Sequence, residues 1–254
     1  MPDRKGRPGP RVLTAALCVT LALVGYIQAS SEEPEPPPSP RPAAKNAGVA
    51  GRPPSVDLGA LPGVGPLTRT KIPDGTGQAL VVTGETRDTH TATAILYERD
   101  AGGRWRRAAG PWAAHNALRG WTADHTAGDL RTPTGVFRLG DAGGRLPDPG
   151  ARLPYDQDKE FATSGTGFFG ESLEGSFDYV VAIDYNRVPG RTPLDKERPL
   201  GPGKGGGVWL HVDHGGPTQA CVSLPRDDMR ELLLALDPVR EPVVVMGPAA
   251  DIAR

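Results

Sequence analysis

Short runs that alternate apolar and polar positions dominate the chain from residue 78 onward. Ala79–Thr83 (ALVVT) and Thr91–Glu98 (TATAILYE) are rich in strand-forming residues and flank a polar stretch, so they predict the two arms of a hairpin. A further strand is expected from Trp105, after the Gly102-Gly103 turn, and Thr134–Leu139, Tyr179–Tyr185, Gly207–Val212 and Pro242–Met246 continue the series. One segment carries helical spacing: Met229, Leu232, Leu233 and Leu236 fall at i, i+3, i+4 and i+7 and make a single apolar face. Asp227 and Asp228 suit its first turn, where carboxylates meet the positive end of the helix dipole, and Pro238 stops it. Many short strands and one clear helix predict a mainly β fold, a sandwich or barrel-like sheet, rather than an α/β layering.

The first residues follow a different pattern. Arg4, Lys5, Arg7 and Arg11 precede an uncharged, mostly apolar run, Val12–Ile27, and small residues follow it. That is the layout of a secretory signal peptide, and the run is only slightly short for an uncleaved membrane anchor. Cys18 lies in mid-run behind the bulky Leu17, which argues against lipidation there. Glu32–Pro54 is proline-dense and reads as an extended or disordered linker. The expected organisation is therefore a signal peptide or anchor over 1–29, a Pro-rich linker over 30–57 and a domain over 58–254, with its core at about 78–247. The expected location is the cell envelope, secreted or membrane-anchored, with membrane contact only through the N-terminal segment if it is not cleaved.

Composition adjusts this picture in two places. Glycine (34) and proline (28) make up about a quarter of the 254 residues, near the level of low-complexity chains, but they are concentrated unevenly and leave a domain able to pack. The net charge is −1, and because the leader is basic the remainder is acidic. No basic face for nucleic acid is expected.

Outside the leader there is a single cysteine, Cys221, in the segment GVWLHVDHGGPTQACVSLP that precedes the helix. A strand carries His211, and a Gly215-Gly216-Pro217 turn returns the chain to Cys221. Ten residues is too long a separation for one helical face, but a strand, turn and return can bring the two side chains together. An imidazole beside a thiol stabilises the thiolate and then carries its proton, and backbone N–H groups of Ala220 and Cys221 are candidates for binding an oxyanion. On an extended strand Asp213 shares the face of His211 and is a candidate to orient the ring. The bland alternative is a strand-end histidine beside a buried structural cysteine. A zinc site from His211, Asp213, His214 and Cys221 is disfavoured, because the Gly-rich turn offers no clear converging set; no metal or other cofactor is expected. His90, His115 and His125 are expected in solvated loops, Trp105, Trp112, Trp121 and Trp209 in packing, and Gly201–Gly207 as a flexible turn.

These residues resemble the YkuD-type L,D-transpeptidases of bacterial cell walls. The stretch Thr218-Gln219-Ala220-Cys221-Val222 after His211 is similar to the family's Ser/Thr-x-Gly-Cys-[Ile/Val] signature. Upstream, Gly128-Asp129-Leu130-Arg131-Thr132-Pro133-Thr134-Gly135-Val136-Phe137 resembles its G-D-x-x-T-P-x-G-x-F block. The resemblance implies a YkuD-type fold and a peptidoglycan stem peptide as substrate. It also implies Cys221 as nucleophile, His211 as general base and acid, a thioester acyl-enzyme and 3-3 cross-links. Thr218 and Ser223 are candidate substrate-binding residues, and carbapenem-type inhibitors are expected. Alternatives are an L,D-carboxypeptidase, in which water resolves the thioester, and a non-catalytic wall-binding domain.

Two positions depart from the family pattern. Ala220 stands where Gly is usual, and a Cβ would cost roughly 1–2 kcal/mol if the backbone there were left-handed. Ser223 stands where many members carry Arg, which leaves Arg226 or Arg131 as substitutes for binding a substrate carboxylate.

Overall fold

The computed structural model describes residues 60–254; the leader and linker expected over 1–29 and 30–57 lie outside the described residues. The strands are β1 (Gln78–Gly84), β2 (Thr91–Arg99), β3 (Trp105–His115), β4 (Trp121–Thr122), β5 (Thr132–Pro133), β6 (Gly135–Arg138), β7 (Ala142–Gly144), β8 (Tyr155–Gln157), β9 (Val180–Ala182), β10 (Trp209–Val212), β11 (Val222–Leu224) and β12 (Val243–Pro248). The helices are α1 (Pro66–Arg69), α2 (Arg226–Ala235) and α3 (Ala249–Ile252). Ten strands join one sheet that curls into a half-barrel, in the order β6-β12-β1-β2-β3-β11-β10-β9-β7-β8. β4 and β5 form a separate parallel pair. The fold is mainly β, as the alternation predicts.

The apolar runs sit where two covered faces require them. In β1, Leu80 and Val82 enter one core cluster and Ala79 and Val81 a second on the opposite face. β12 divides in the same way, with Val244 and Met246 against Val243 and Val245. Strands covered on both sides read as continuous apolar runs rather than strict alternation. Toward the other end of the sheet, α2 packs against β3, β10 and β11, and its buried Met229, Leu232 and Leu233 join Leu210, Val212, Val222 and Leu224 in one cluster. The helical spacing thus identifies the longest helix among the described residues and its buried side.

The strands without a sequence signal, β4, β5, β7, β8 and β11, have two or three residues each. So few residues cannot display a period. The turn at Gly215–Pro217 does return the chain, but β10 and β11 are parallel, with Leu210 opposite Val222 and His211 opposite Ser223. That register brings the start of β11 beside the start of β10.

Candidate active site

Alternation on β10 and β11 creates the site. Leu210 and Val212 point into the α2 core, so Trp209 and His211 take the other face, where the ring of Phe177 meets each edge-on with centroids 5.0 Å and 5.3 Å away. Val222 and Leu224 are buried in the same core, which leaves Cys221 and Ser223 to the opposite side. Cys221 and His211 both line a cavity of about 540 Å³, together with Phe177, His214, Thr218 and Ala220. Gly205, Gly206 and Gly207, expected only as a flexible turn, form part of its wall.

The cysteine backbone is held by two hydroxyls. Thr218 Oγ1 donates to the Cys221 carbonyl oxygen at 2.6 Å, and Thr132 Oγ1 donates to the same atom at 3.4 Å while accepting from the Ala117 N–H at 2.9 Å. The N–H groups of Ala220 and Cys221 make no hydrogen bond among the described residues. Two fixed donors beside a nucleophile are what an oxyanion requires. Ala220 does not adopt a positive φ, unlike Leu130, Asn186 and Glu241. The left-handed strain expected of a Cβ at this position therefore does not arise.

His211 is 3 % exposed, and its Nδ1–H donates to the Val212 carbonyl at 2.9 Å. This bond selects the tautomer whose Nε2 keeps a lone pair. Burial pushes the imidazole down to about 4, opposed by the Val212 bond and reinforced by the neighbouring His214. Burial pushes the Cys221 thiol up to about 11, opposed by the Trp209 N–H that donates to Sγ at 3.3 Å; the thiol itself donates to the Gly207 carbonyl at 3.7 Å. The resting pair is thus a neutral thiol and a neutral imidazole. Both groups are deeply surrounded by protein, which favours their neutral forms over a charged pair.

Asp213 does not orient His211. β10 ends at Val212, and the Asp213 carboxylate accepts from Ser223 Oγ at 2.6 Å and the Gly215 N–H at 3.0 Å, and meets His115 Nδ1 at 2.9 Å. Burial would raise the Asp213 carboxyl, but the Ser223 and His115 bonds outweigh it and hold it below the ordinary range. Ser223 is fully buried in this cluster and lies outside the cavity lining, so it is not available to bind substrate. Thr218 lines the cavity, but its hydroxyl hydrogen is committed to Cys221. Arg226 pairs with Asp178 at 2.5 Å and Arg131 with Asp88 at 2.9 Å, and neither lines the cavity. His125, expected in solvent, is buried beside Asp129 and Tyr185, and His115 is held by Asp213. His211, Asp213, His214 and Cys221 do not converge as ligands, and among the described residues no group of three or more such side chains could hold a metal ion.

Residues 63–245 match the family model for the YkuD L,D-transpeptidase catalytic domain. The chain belongs to this family. No curated protein and no solved structure matched it. Within the YkuD block that contains Thr132, the sequence alone gave no reason to single out that threonine; its contact with the Cys221 carbonyl spans 89 residues of chain.

Proposed function

We propose that this YkuD domain is a cysteine acyltransferase acting on peptidoglycan stem peptides. The observation that carries the reading is the placement of Cys221 and His211 on one cavity, in a chain of this family. In the first step the Cys221 sulfur attacks the carbonyl of the L-centred residue that precedes the terminal D-alanine, and the thiol proton passes to His211 Nε2. Because both groups rest neutral, proton transfer accompanies attack instead of preceding it. The Ala220 and Cys221 N–H groups receive the oxyanion. Collapse breaks the C–N bond, His211 returns the proton to the departing amine, and a thioester remains. An amine of a second stem attacks the thioester, His211 takes its proton, and the thiol is regenerated as a bond forms between two third-position residues.

A substrate in the wall requires export, which fits the leader and linker read in the sequence. The same thiol is the expected target of a carbapenem. Product analysis with a disaccharide-tetrapeptide tests the proposal: D-alanine released with a 3-3 linked dimer is expected. Release with tripeptide alone would identify a carboxypeptidase, and binding without release a non-catalytic wall-binding domain.

A further inference from the structure

Among the described residues, no fixed cation lines the cavity. No described lysine, arginine, aspartate or glutamate lines it, and the titratable groups among its described lining residues are His125, His211, His214 and Cys221. On the acyl-transfer reading above, on which this inference rests, the donor peptide ends in a carboxylate that enters the cavity and loses hydration, so it needs donors there. Arg131, Arg226 and Ser223 are committed elsewhere.

Among the histidines, His211 uses Nδ1 on Val212, and the acyl-transfer reading assigns its Nε2 to proton transfer. His125 directs Nδ1 toward Asp129, and its Nε2 is pressed so closely on Gly205 that a Cβ there would fall 2.7 Å from it. His214 differs. Its ring stacks on that of His211, with centroids 5.8 Å apart and planes at 13°. Nδ1 meets Glu171 Oε1 at 3.2 Å, the side chain is only 6 % exposed, and Nε2 has no hydrogen-bond partner among the described residues.

Glu171 is itself a fitted part. Its other oxygen accepts the Phe169 N–H at 2.8 Å, and its own backbone carbonyl accepts the Gly167 N–H at 2.8 Å. A Cβ on Gly167 or Gly216 would come within 2.0 Å or 2.1 Å of Oε1, so glycine at both positions makes room for this carboxylate. Hydrogen bonds from its own and the Phe169 backbone N–H, and then His214, hold the Glu171 carboxyl below the ordinary range.

A histidine whose Nδ1–H is given to a carboxylate can carry a second proton on Nε2 and offer it to an anion. We propose that His214, held by Glu171, binds the terminal carboxylate of the donor peptide through Nε2–H. The ionisable groups around His214 are Glu171 from the 163–176 loop, His211 from β10 and Asp213 on its own loop, whose carboxylate is engaged by His115, Ser223 and Gly215.

The test uses the Cys221→Ala chain and calorimetry with a tetrapeptide and its C-terminal amide. The carboxylate form is expected to bind at least about tenfold more tightly at pH 6, a charge-assisted hydrogen bond being of that order. His214→Gln in the same background removes the preference, with affinity for the amide little changed. Glu171→Gln retains shape but removes the carboxylate that holds His214 Nδ1, and it is expected to lessen the preference for the carboxylate peptide while leaving affinity for the amide little changed, a selective loss that a purely structural role would not produce. Equal affinity for the two peptides, or equal losses for both on His214→Gln, overturns the proposal. Acylation of Cys221 in the wild-type chain is read separately, so discrimination without acylation would sink the acyl-transfer reading and leave the carboxylate site standing.

Discussion

Thr218 and Cys221 are joined by a 2.6 Å hydrogen bond from the threonine hydroxyl to the cysteine carbonyl, and Thr132 reaches the same oxygen from a different part of the chain. These bonds fix the peptide plane that follows Cys221 and so help to set the direction of its side chain. Thr218→Val is expected to lower kcat while the protein remains folded, at a cost of about 1–3 kcal/mol in stability. Because both hydroxyls serve one acceptor, Thr132→Val and Thr218→Val together should not be additive. A double-mutant cycle on kcat and on denaturant midpoints checks this, and strict additivity would show that the two bonds act independently.

Burial of Cys221 favours the protonated thiol. Alkylation of Cys221 by iodoacetamide should therefore be slow at neutral pH and rise steeply as pH approaches about 11, the value to which burial pushes the group. A rate plateau already reached below pH 8 would mean that the sulfur is ionised in the resting protein.

Burial of neutral His211 links folding to pH. Its folded value, about 4, lies below the unfolded 6.5, so between those values the unfolded chain binds a proton that the folded chain refuses. Stability from this group is complete above pH 6.5 and declines as pH falls toward 4, by about 3 kcal/mol in all. Denaturant titrations of wild-type and His211→Gln should diverge across that window and run parallel outside it. Parallel curves from pH 7 to pH 4 would count against a buried neutral imidazole.

Ala220 does not adopt a positive φ. Ala220→Gly is expected to leave activity within a few-fold and to cost up to about 1 kcal/mol in stability through added backbone freedom. A large gain in turnover would show that the site works in a left-handed conformation that alanine resists.

The sequence was most informative where one element decides the outcome. The WLHV alternation separates His211 from the core residues Leu210 and Val212, and the 3–4 spacing of Met229, Leu232 and Leu233 identifies the buried face of α2. It was least informative where separate segments converge. The fate of Asp213 depends on His115 at the end of β3 and Ser223 on β11, and once β10 ends at Val212 strand alternation no longer directs its side chain. The stacking of His214 on His211 depends on a loop folding back to supply Glu171. The protonation of the pair is not legible in the sequence for the same reason: the depth of burial, which favours the neutral forms, is set by the fold.

Intact-mass analysis after incubation with a disaccharide-tetrapeptide, without an acceptor amine, tests the acyl-transfer account most directly. The expected result is a covalent adduct of the donor minus its terminal D-alanine, mapped to Cys221 and absent from folded Cys221→Ala. Unmodified wild-type protein that binds the peptide, or an adduct that persists in Cys221→Ala, would contradict it.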